Sequence, residues 1–198
     1  MKPIIITGVV LLLIFVILQS FISYSVSDIE KHKYTVLKEY EEFEVRKYES
    51  ALFSSVVIDG SSYEASSNKG FRVLAGYIFG GNDKGEKIAM TSPVAMELGD
   101  STKMSFMVPS GYKVEDLPKP NNGRIFFEEK KGTTMAAIKF GGWASDERIE
   151  EFKKRLSDAL LKEGISHSGK FMYLGYDPPY AVVGRRNEVV VELSSFKM

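Results

Sequence analysis

The strongest constraint on how this chain folds is that one succession of elements occurs twice. In the first half, Glu39–Tyr48 (EYEEFEVRKY) alternates aromatic and charged residues as a half-exposed strand does. Ala51–Ile58 (ALFSSVVI) is β-branched and ends at Asp59-Gly60. A helical pattern then runs from Tyr63 to Phe79, followed by two strand-like runs, Lys87–Leu98 and Met104–Val108. After the turn-rich connection Asp116–Gly123 (DLPKPNNG) the order recurs. Arg124–Lys130 and Met135–Phe140 read as strands, and Ser145–Glu163 as a helix stopped at Gly164. Phe171–Tyr176 and Glu188–Leu193 complete the set, with Ala181–Gly184 a candidate extension of either. The halves share this pattern but no recognisable identity. Strand-dominated halves with one helix apiece predict an α+β domain. Its expected form is a twisted antiparallel β-sheet or open barrel of two pseudo-repeated ββαββ halves with two flanking helices.

The two helices differ. The second places Ile149, Phe152, Leu156, Ala159 and Leu160 on one stripe and charges elsewhere, with Ser145, Asp146 and Glu147 suited to its N-terminus. It reads as a one-sided scaffold helix. The first has a core stripe of Phe71, Leu74, Ala75 and Ile78, but Val73 and Tyr77 stand on a flank away from the stripe's centre. A wider apolar arc means either deeper burial or a surface kept apolar for a ligand. The GGNDKG segment after it lacks the GxxxxGK[ST] spacing of a phosphate loop and follows a helix, whose C-terminus repels anions. Its glycines read as a helix stop and a tight turn.

Composition removes several function classes. The 26 basic and 26 acidic residues cancel, so the basic excess that nucleic-acid binding needs is missing. With no cysteine, disulfides, thiolate metal sites and cysteine nucleophiles are excluded. The two histidines, His32 and His167, read as exposed polar residues, and Met90, Met96, Met104 and Met107 as strand-borne core. Thr91-Ser92-Pro93 has no histidine or cysteine partner at a recognisable spacing. Glu41-Glu42, Glu128-Glu129 and Glu150-Glu151 read as exposed faces. No catalytic or metal-binding constellation emerges, so a binding protein is expected rather than an enzyme.

Ile4–Ile22 (IIITGVVLLLIFVILQSFI) is uncharged, and about 20 apolar residues span a bilayer. It exceeds the roughly 7–15 residues of a signal-peptide core. Residues 1–22 therefore predict an N-terminal transmembrane helix, an uncleaved single-pass anchor whose domain lies on the non-cytoplasmic side. The alternative is a signal peptide cleaved near Ser23-Tyr24-Ser25 or Ser25-Val26-Ser27, leaving a secreted or periplasmic protein. Lys2 supports an inside N-terminus, while Lys31 and Lys33 oppose it. Ser23–Lys33 reads as a linker, and residues 34–198 as the domain.

With these residues laid out, the domain resembles the SOUL haem-binding protein family. The resemblance rests on YEEFEVRKYE (Tyr40–Glu49), FGGNDKGEKIAMTSPVAM (Phe79–Met96) and MSFMVPSGYKVEDLPKP (Met104–Pro120). FGGW (Phe140–Trp143), YDPPY (Tyr176–Tyr180) and RRNEVVVEL (Arg185–Leu193) extend it to Leu193. It implies a β-barrel-like sheet of pseudo-repeated halves and non-enzymatic, reversible binding of haem or another tetrapyrrole. The implied site is a shallow apolar groove along the first helix, at Lys69, Arg72, Val73, Leu74, Tyr77 and Ile78. Tyr180–Asn187 is the expected second wall, contributing Tyr180, Arg185 and Arg186. Lys69, Arg72, Arg185 and Arg186 are then the propionate partners, since guanidinium forks suit carboxylates. Axial ligation varies in the family, and weak or absent protein ligation is expected here. A module for another hydrophobic ligand or a protein partner, and an enzyme on a small hydrophobic substrate, are the competing readings.

Overall fold

Nine strands form one curled antiparallel sheet, a half-barrel with two helices, and the sheet's order shows how the two halves are joined. The structure, a computed structural model, describes residues 28–196 together with Thr7, Val10, Leu11, Leu13, Ile14 and Gln19. Chain order is β1 (Glu30–Lys31), β2 (Tyr34–Glu39), β3 (Glu44–Tyr48), β4 (Ala51–Asp59) and α1 (Tyr63–Ile78). Then come β5 (Thr91–Ser92), β6 (Val94–Glu97), β7 (Ser101–Met107), β8 (Phe126–Lys130) and β9 (Thr134–Phe140). The last elements are α2 (Asp146–Lys162), β10 (His167–Gly175) and β11 (Asn187–Leu193).

The sheet runs β2-β3-β9-β11-β10-β6-β7-β4-β8. About the central β10–β6 pair, each side repeats the other, except that the first strand of each half crosses over. β3 pairs with β9 of the second half, and β8 pairs with β4 of the first. Each half therefore completes its sheet only with a strand from the other, which ties them into one folding unit.

The helices pack on one face of the sheet. Val45, Val56, Met96, Met104, Ile138, Val189 and Val191 from the strands meet Leu74, Ile78, Leu156 and Leu160 from the helices in one buried core. Ser62 caps α1 by accepting from the Ala65 N–H (3.2 Å). The Asp146 carboxylate, at the start of α2, accepts from the N–H groups of Tyr63 (2.6 Å) and Glu64 (3.3 Å). One carboxylate thus satisfies donors that a helix start leaves orphaned.

The opposite face carries two charge pairs at equivalent places, with signs exchanged. Strand register sets Arg46 of β3 equivalent to Glu128 of β8, and Glu188 of β11 equivalent to Lys103 of β7. In each case the pair reaches past a small residue on the strand between, Ala137 or Ser55. Lys103 lies 3.2 Å from Glu128 and is partly exposed. Arg46 and Glu188 are fully buried and paired through both oxygens, at 2.7 and 3.1 Å. Tyr48 accepts from Arg46 (3.0 Å), Tyr176 donates to Glu188 (2.9 Å), and Arg186 adds a second guanidinium at 2.7 Å. Burial pushes the Glu188 carboxyl upward, but hydrogen bonds and charge from Arg46 and Arg186 outweigh it and hold it below the usual carboxylate range.

Several expectations need correction. The predicted membrane helix over residues 1–22 lies outside the described residues except for six helical positions. No helix among the described residues is long and apolar enough to cross a membrane. The chain joins the fold at Glu30, inside the segment read as a linker, because β1 pairs in parallel with β5. Tyr34–Glu39, inside the expected domain but ahead of its first expected strand, is an edge strand. His32 is half-buried, with Nε2 2.9 Å from the Glu49 carbonyl and its ring beside Tyr48, and burial lowers its pKa. Ala181–Gly184 belongs to a loop, not a strand. Phe71, placed in the core stripe by periodicity, is 39 % exposed.

Removing one member of the buried pair leaves an uncompensated charge. Arg46→Met should cost about 3–5 kcal/mol in urea denaturation. Glu188 has a lowered folded pKa, so its stabilisation is complete above the unfolded value of about 4.3 and is lost as pH falls through the folded value. The wild-type midpoint should therefore drop in acid, and Glu188→Gln should flatten that limb. An unchanged acid limb in Glu188→Gln would show that other carboxylates control it.

Candidate functional site

The C-terminal end of α1 is built around a close approach that only glycine permits. The Gly81 N–H donates to the Gly76 carbonyl (2.8 Å), and a Cβ at Gly81 would stand 2.5 Å from that oxygen. The next residue, Asn82, is buried and uses its whole amide. Its Nδ2 donates to the carbonyls of Tyr77 (3.2 Å) and Glu86 (2.7 Å), and its Oδ1 accepts from the N–H groups of Lys84 (3.2 Å) and Glu86 (3.0 Å). The GGNDKG segment is therefore a self-satisfied turn held against the helix.

That turn in turn holds a second segment. The Asp83 N–H donates to Lys119 O (3.0 Å), Asp83 Oδ1 accepts from Lys119 N–H (2.8 Å), and the Asn121 N–H donates to Gly81 O (3.1 Å). The Tyr77 hydroxyl, buried beneath, donates to Pro118 O (3.0 Å). Burial, reinforced by the charge of Glu86, pushes that hydroxyl up to about 12. The result is a wall, Asn121–Ile125, fixed opposite the outer flank of α1.

Between them lies an open groove of about 890 Å³, lined on the helix side by Lys69, Arg72, Val73, Gly76 and Tyr77. Ile58 and Asp59 at the end of β4 form its floor, and Asn121, Asn122, Gly123, Arg124 and Ile125 its far side. A Cβ built on Gly76 or Gly123 would meet nothing within 4 Å, so both glycines leave open space. Three cations, Lys69, Arg72 and Arg124, line the groove together with the apolar residues Ile58, Val73, Tyr77 and Ile125, of which Val73 is the most exposed.

The second half has the same place in its fold, and there it is filled. The spacing that aligns Arg46 with Glu128 also aligns Leu74 with Leu156, Val73 with Arg155, Ile125 with Phe43 and Arg124 with Glu42. Arg155 pairs with Glu42 (2.9 Å) and lies over the Phe152 ring. Phe140 stacks on Phe152 at 4.4 Å, and Phe43 is buried in the core. Bulky rings and an ion pair close the α2 site, while valine, glycine and an arginine that pairs with no carboxylate among the described residues leave the α1 site open.

Of the residues expected at the site, Lys69, Arg72, Val73 and Tyr77 are brought together along this groove. Leu74 and Ile78 are buried core beneath the helix and do not line it. Tyr180, Arg185 and Arg186 do not line it either. Arg186 belongs to the Glu188 cluster, and Arg185 donates to the carbonyls of Pro178 and Ala181 (both 2.8 Å) and lies over the Trp143 ring. The wall is instead Asn121–Ile125, where the expected connection Asp116–Gly123 meets the expected strand Arg124–Lys130, which begins only at Phe126. The signal that would have found it was the pseudo-repeat, which sets Arg124 at the place Glu42 takes beside the other helix. A second cavity, about 420 Å³, lies between β1 and residues 107–115 and mixes Lys31, Lys33 and Lys113 with Glu30, Glu49, Glu115 and Glu129. Among the described residues no cluster of three or more histidine, aspartate or glutamate side chains is placed to hold a metal ion.

The family model described as SOUL heme-binding protein matches residues 29–192. "Heme-binding protein 1" of Xenopus laevis is 33% identical over 155 residues, covering 74% of this chain and 81% of that protein. "Heme-binding protein 2" of Mus musculus is 31% identical over 156 residues, covering 74% and 76%. Among solved structures, the EcmrR C-terminal domain superposes with a TM-score of 0.60 at 9% identity, over 78% of this chain and 98% of that one. At that identity the likeness is one of fold.

If the Asn82 amide fixes the wall, Asn82→Ala should lower stability by roughly 2–4 kcal/mol, because several buried backbone groups lose their partner together. Hydrogen exchange should accelerate at residues 117–125 more than in α2. Equal acceleration in both would mean that the turn supports the fold at large and not this wall.

Proposed function

This chain belongs to the SOUL haem-binding protein family, and from that premise we propose that it binds haem, or a related tetrapyrrole, reversibly in the α1 groove. The observation that carries this reading is the contrast between the halves: equivalent places in the fold, one packed shut and one left open with cations on its rim. The open one has the size of small-molecule and cofactor sites, roughly 300–1,000 Å³.

The residues fit the group. A tetrapyrrole presents a flat apolar ring and two carboxylates. Ile58, Val73, Tyr77 and Ile125 offer apolar contact, and Gly76 and Gly123 let a planar ring approach the backbone on both sides. Lys69, Arg72 and Arg124 meet the propionates, the two guanidiniums as bidentate forks. The groove lining contains no histidine or methionine, and the Tyr77 hydroxyl is committed to Pro118 and remains protonated near neutrality. Haem is then held by burial and charge with little protein ligation to iron; when bound it supplies the visible absorption and redox-active iron. His167 sits at the start of β10, its Nδ1 accepting from the Gly169 N–H, and plays no part.

An open-sided groove without strong ligation suits exchange, hence carrying or buffering, and no residue in it is poised as a base or nucleophile. Ile4–Ile22, uncharged and close to the ~20 residues that span a bilayer, supports a single-pass tether with the domain on the non-cytoplasmic side.

Haem titration of the full chain in mild detergent tests this. Wild type should saturate at micromolar haem with a shifted Soret band and without the sharp visible bands of bis-ligated haem. Gly76→Leu removes the ~1 kcal/mol penalty of a helical glycine while filling the groove, so it should fold at least as well and bind at least tenfold more weakly. Arg72→Glu with Arg124→Glu should weaken binding comparably. Wild-type affinity in Gly76→Leu would remove the groove from consideration, and no saturable binding by wild type would remove haem.

A further inference from the structure

The loop between β10 and β11 carries an exposed apolar patch that the groove does not use. Tyr180, Val182 and Val183 are 64 %, 51 % and 63 % exposed, and Trp143, from the segment between β9 and α2, is 52 % exposed. The loop is braced from within. Arg185 donates to the Pro178 and Ala181 carbonyls, the Ala181 N–H donates to Pro178 O (3.1 Å), and the Asp177 carboxylate accepts from the Arg186 N–H (2.6 Å). The Arg185 guanidinium lies 4.2 Å from the Trp143 ring centre, which fixes that ring against the loop's base. Ala181 is buried and anchors the segment. Tyr180–Gly184 (YAVVG) has no charge. A rigid loop that holds its aliphatic and aromatic side chains in water calls for a partner surface.

The position of the loop indicates which surface. Its Val182 N–H donates to the Gln19 side-chain oxygen (3.1 Å), and Gln19 stands near the end of the apolar run Ile4–Ile22. We infer that Trp143, Tyr180, Val182 and Val183 form an interfacial foot that rests in the headgroup layer of a lipid bilayer. Tryptophan and tyrosine favour that depth because each ring is apolar at one end and hydrogen-bonding at the other, and the two valines gain by leaving water. The foot fixes how the domain sits on the membrane, independently of what the groove holds.

Trp143 is the chain's only tryptophan, so its fluorescence reports on the patch alone. The full-length, haem-free chain is reconstituted in phosphatidylcholine vesicles with and without brominated acyl chains, and quenching is compared with that by aqueous iodide. The foot predicts blue-shifted emission, strong quenching by the brominated lipid and weak quenching by iodide. The double variant Val182→Asp, Val183→Asp should return the emission to the water-exposed position, and a circular-dichroism thermal melt matching wild type confirms that it is folded. Strong iodide quenching without lipid quenching in wild type overturns the inference. So does shielding from both quenchers, which would mean that protein covers the patch. Lipid quenching that persists in the double variant also overturns it, because the N-terminal run alone would then bring Trp143 to the bilayer.

Discussion

The buried Asn82 side chain joins the last turn of α1 to the turn after it, and the neighbouring Asp83 carries that turn to the Pro118–Asn121 segment. Each of the Asn82 side chain's polar atoms is satisfied by backbone, so no other side chain of that size reproduces the set. Gly81 makes the arrangement sterically possible, and Tyr77 reinforces it from below. Without this clamp the Asn121–Ile125 segment would have no fixed distance from the helix, and the groove would have one wall. A site preorganised this way spends little ordering free energy when a ligand arrives.

The pseudo-symmetric fold supplies an internal comparison. Exchange of β3 and β8 makes the halves equivalent in topology, so differences between them reflect side chains and not architecture. On the sheet's outer face the difference is a reversal of sign, Arg46–Glu188 against Glu128–Lys103. On the helix face it is occupancy. Phe43, Phe140, Phe152 and Arg155 fill the α2 site, which contributes to the core, whereas the α1 site leaves apolar surface and a glycine-bearing helix exposed. A glycine in mid-helix at Gly76 costs about 1 kcal/mol relative to alanine. A chain that carries that cost at the open site and not at the closed one is keeping space there.

The fold was legible because hydrophobic period marks an element where burial is one-sided, as in α2, and a β-branched run closed by Asp59-Gly60 marks β4. Short edge strands were not: β1 and β2 sit among Lys31, Lys33 and Lys38, and what defines them is pairing, of β1 with distant chain at Thr91 and of β2 with the next strand across an irregular register. At the site, periodicity found the helix flank, since Val73 and Tyr77 widen the apolar arc. It could not tell that Tyr77 points inward to Pro118 while Phe71 is left half in water, because angle around a helix does not say what packs against it. The second wall was missed for a different reason. Apart from Ile125 its residues are polar and turn-forming, and its place comes from the Asn121 hydrogen bond to Gly81 and the Lys119 pairing with Asp83, a contact between two motifs that sequence order keeps apart.

Haem binding between α1 and the Asn121–Ile125 wall is best located by a ligand titration followed residue by residue. Backbone amide NMR spectra recorded while ferric haem is added should show paramagnetic broadening first and most strongly at Lys69–Tyr77 and Asn121–Ile125. The Tyr180–Arg186 loop, His32 and α2 should keep their signals at the same haem level. Broadening centred on Tyr180–Arg186, on His32 or along α2 would contradict the account.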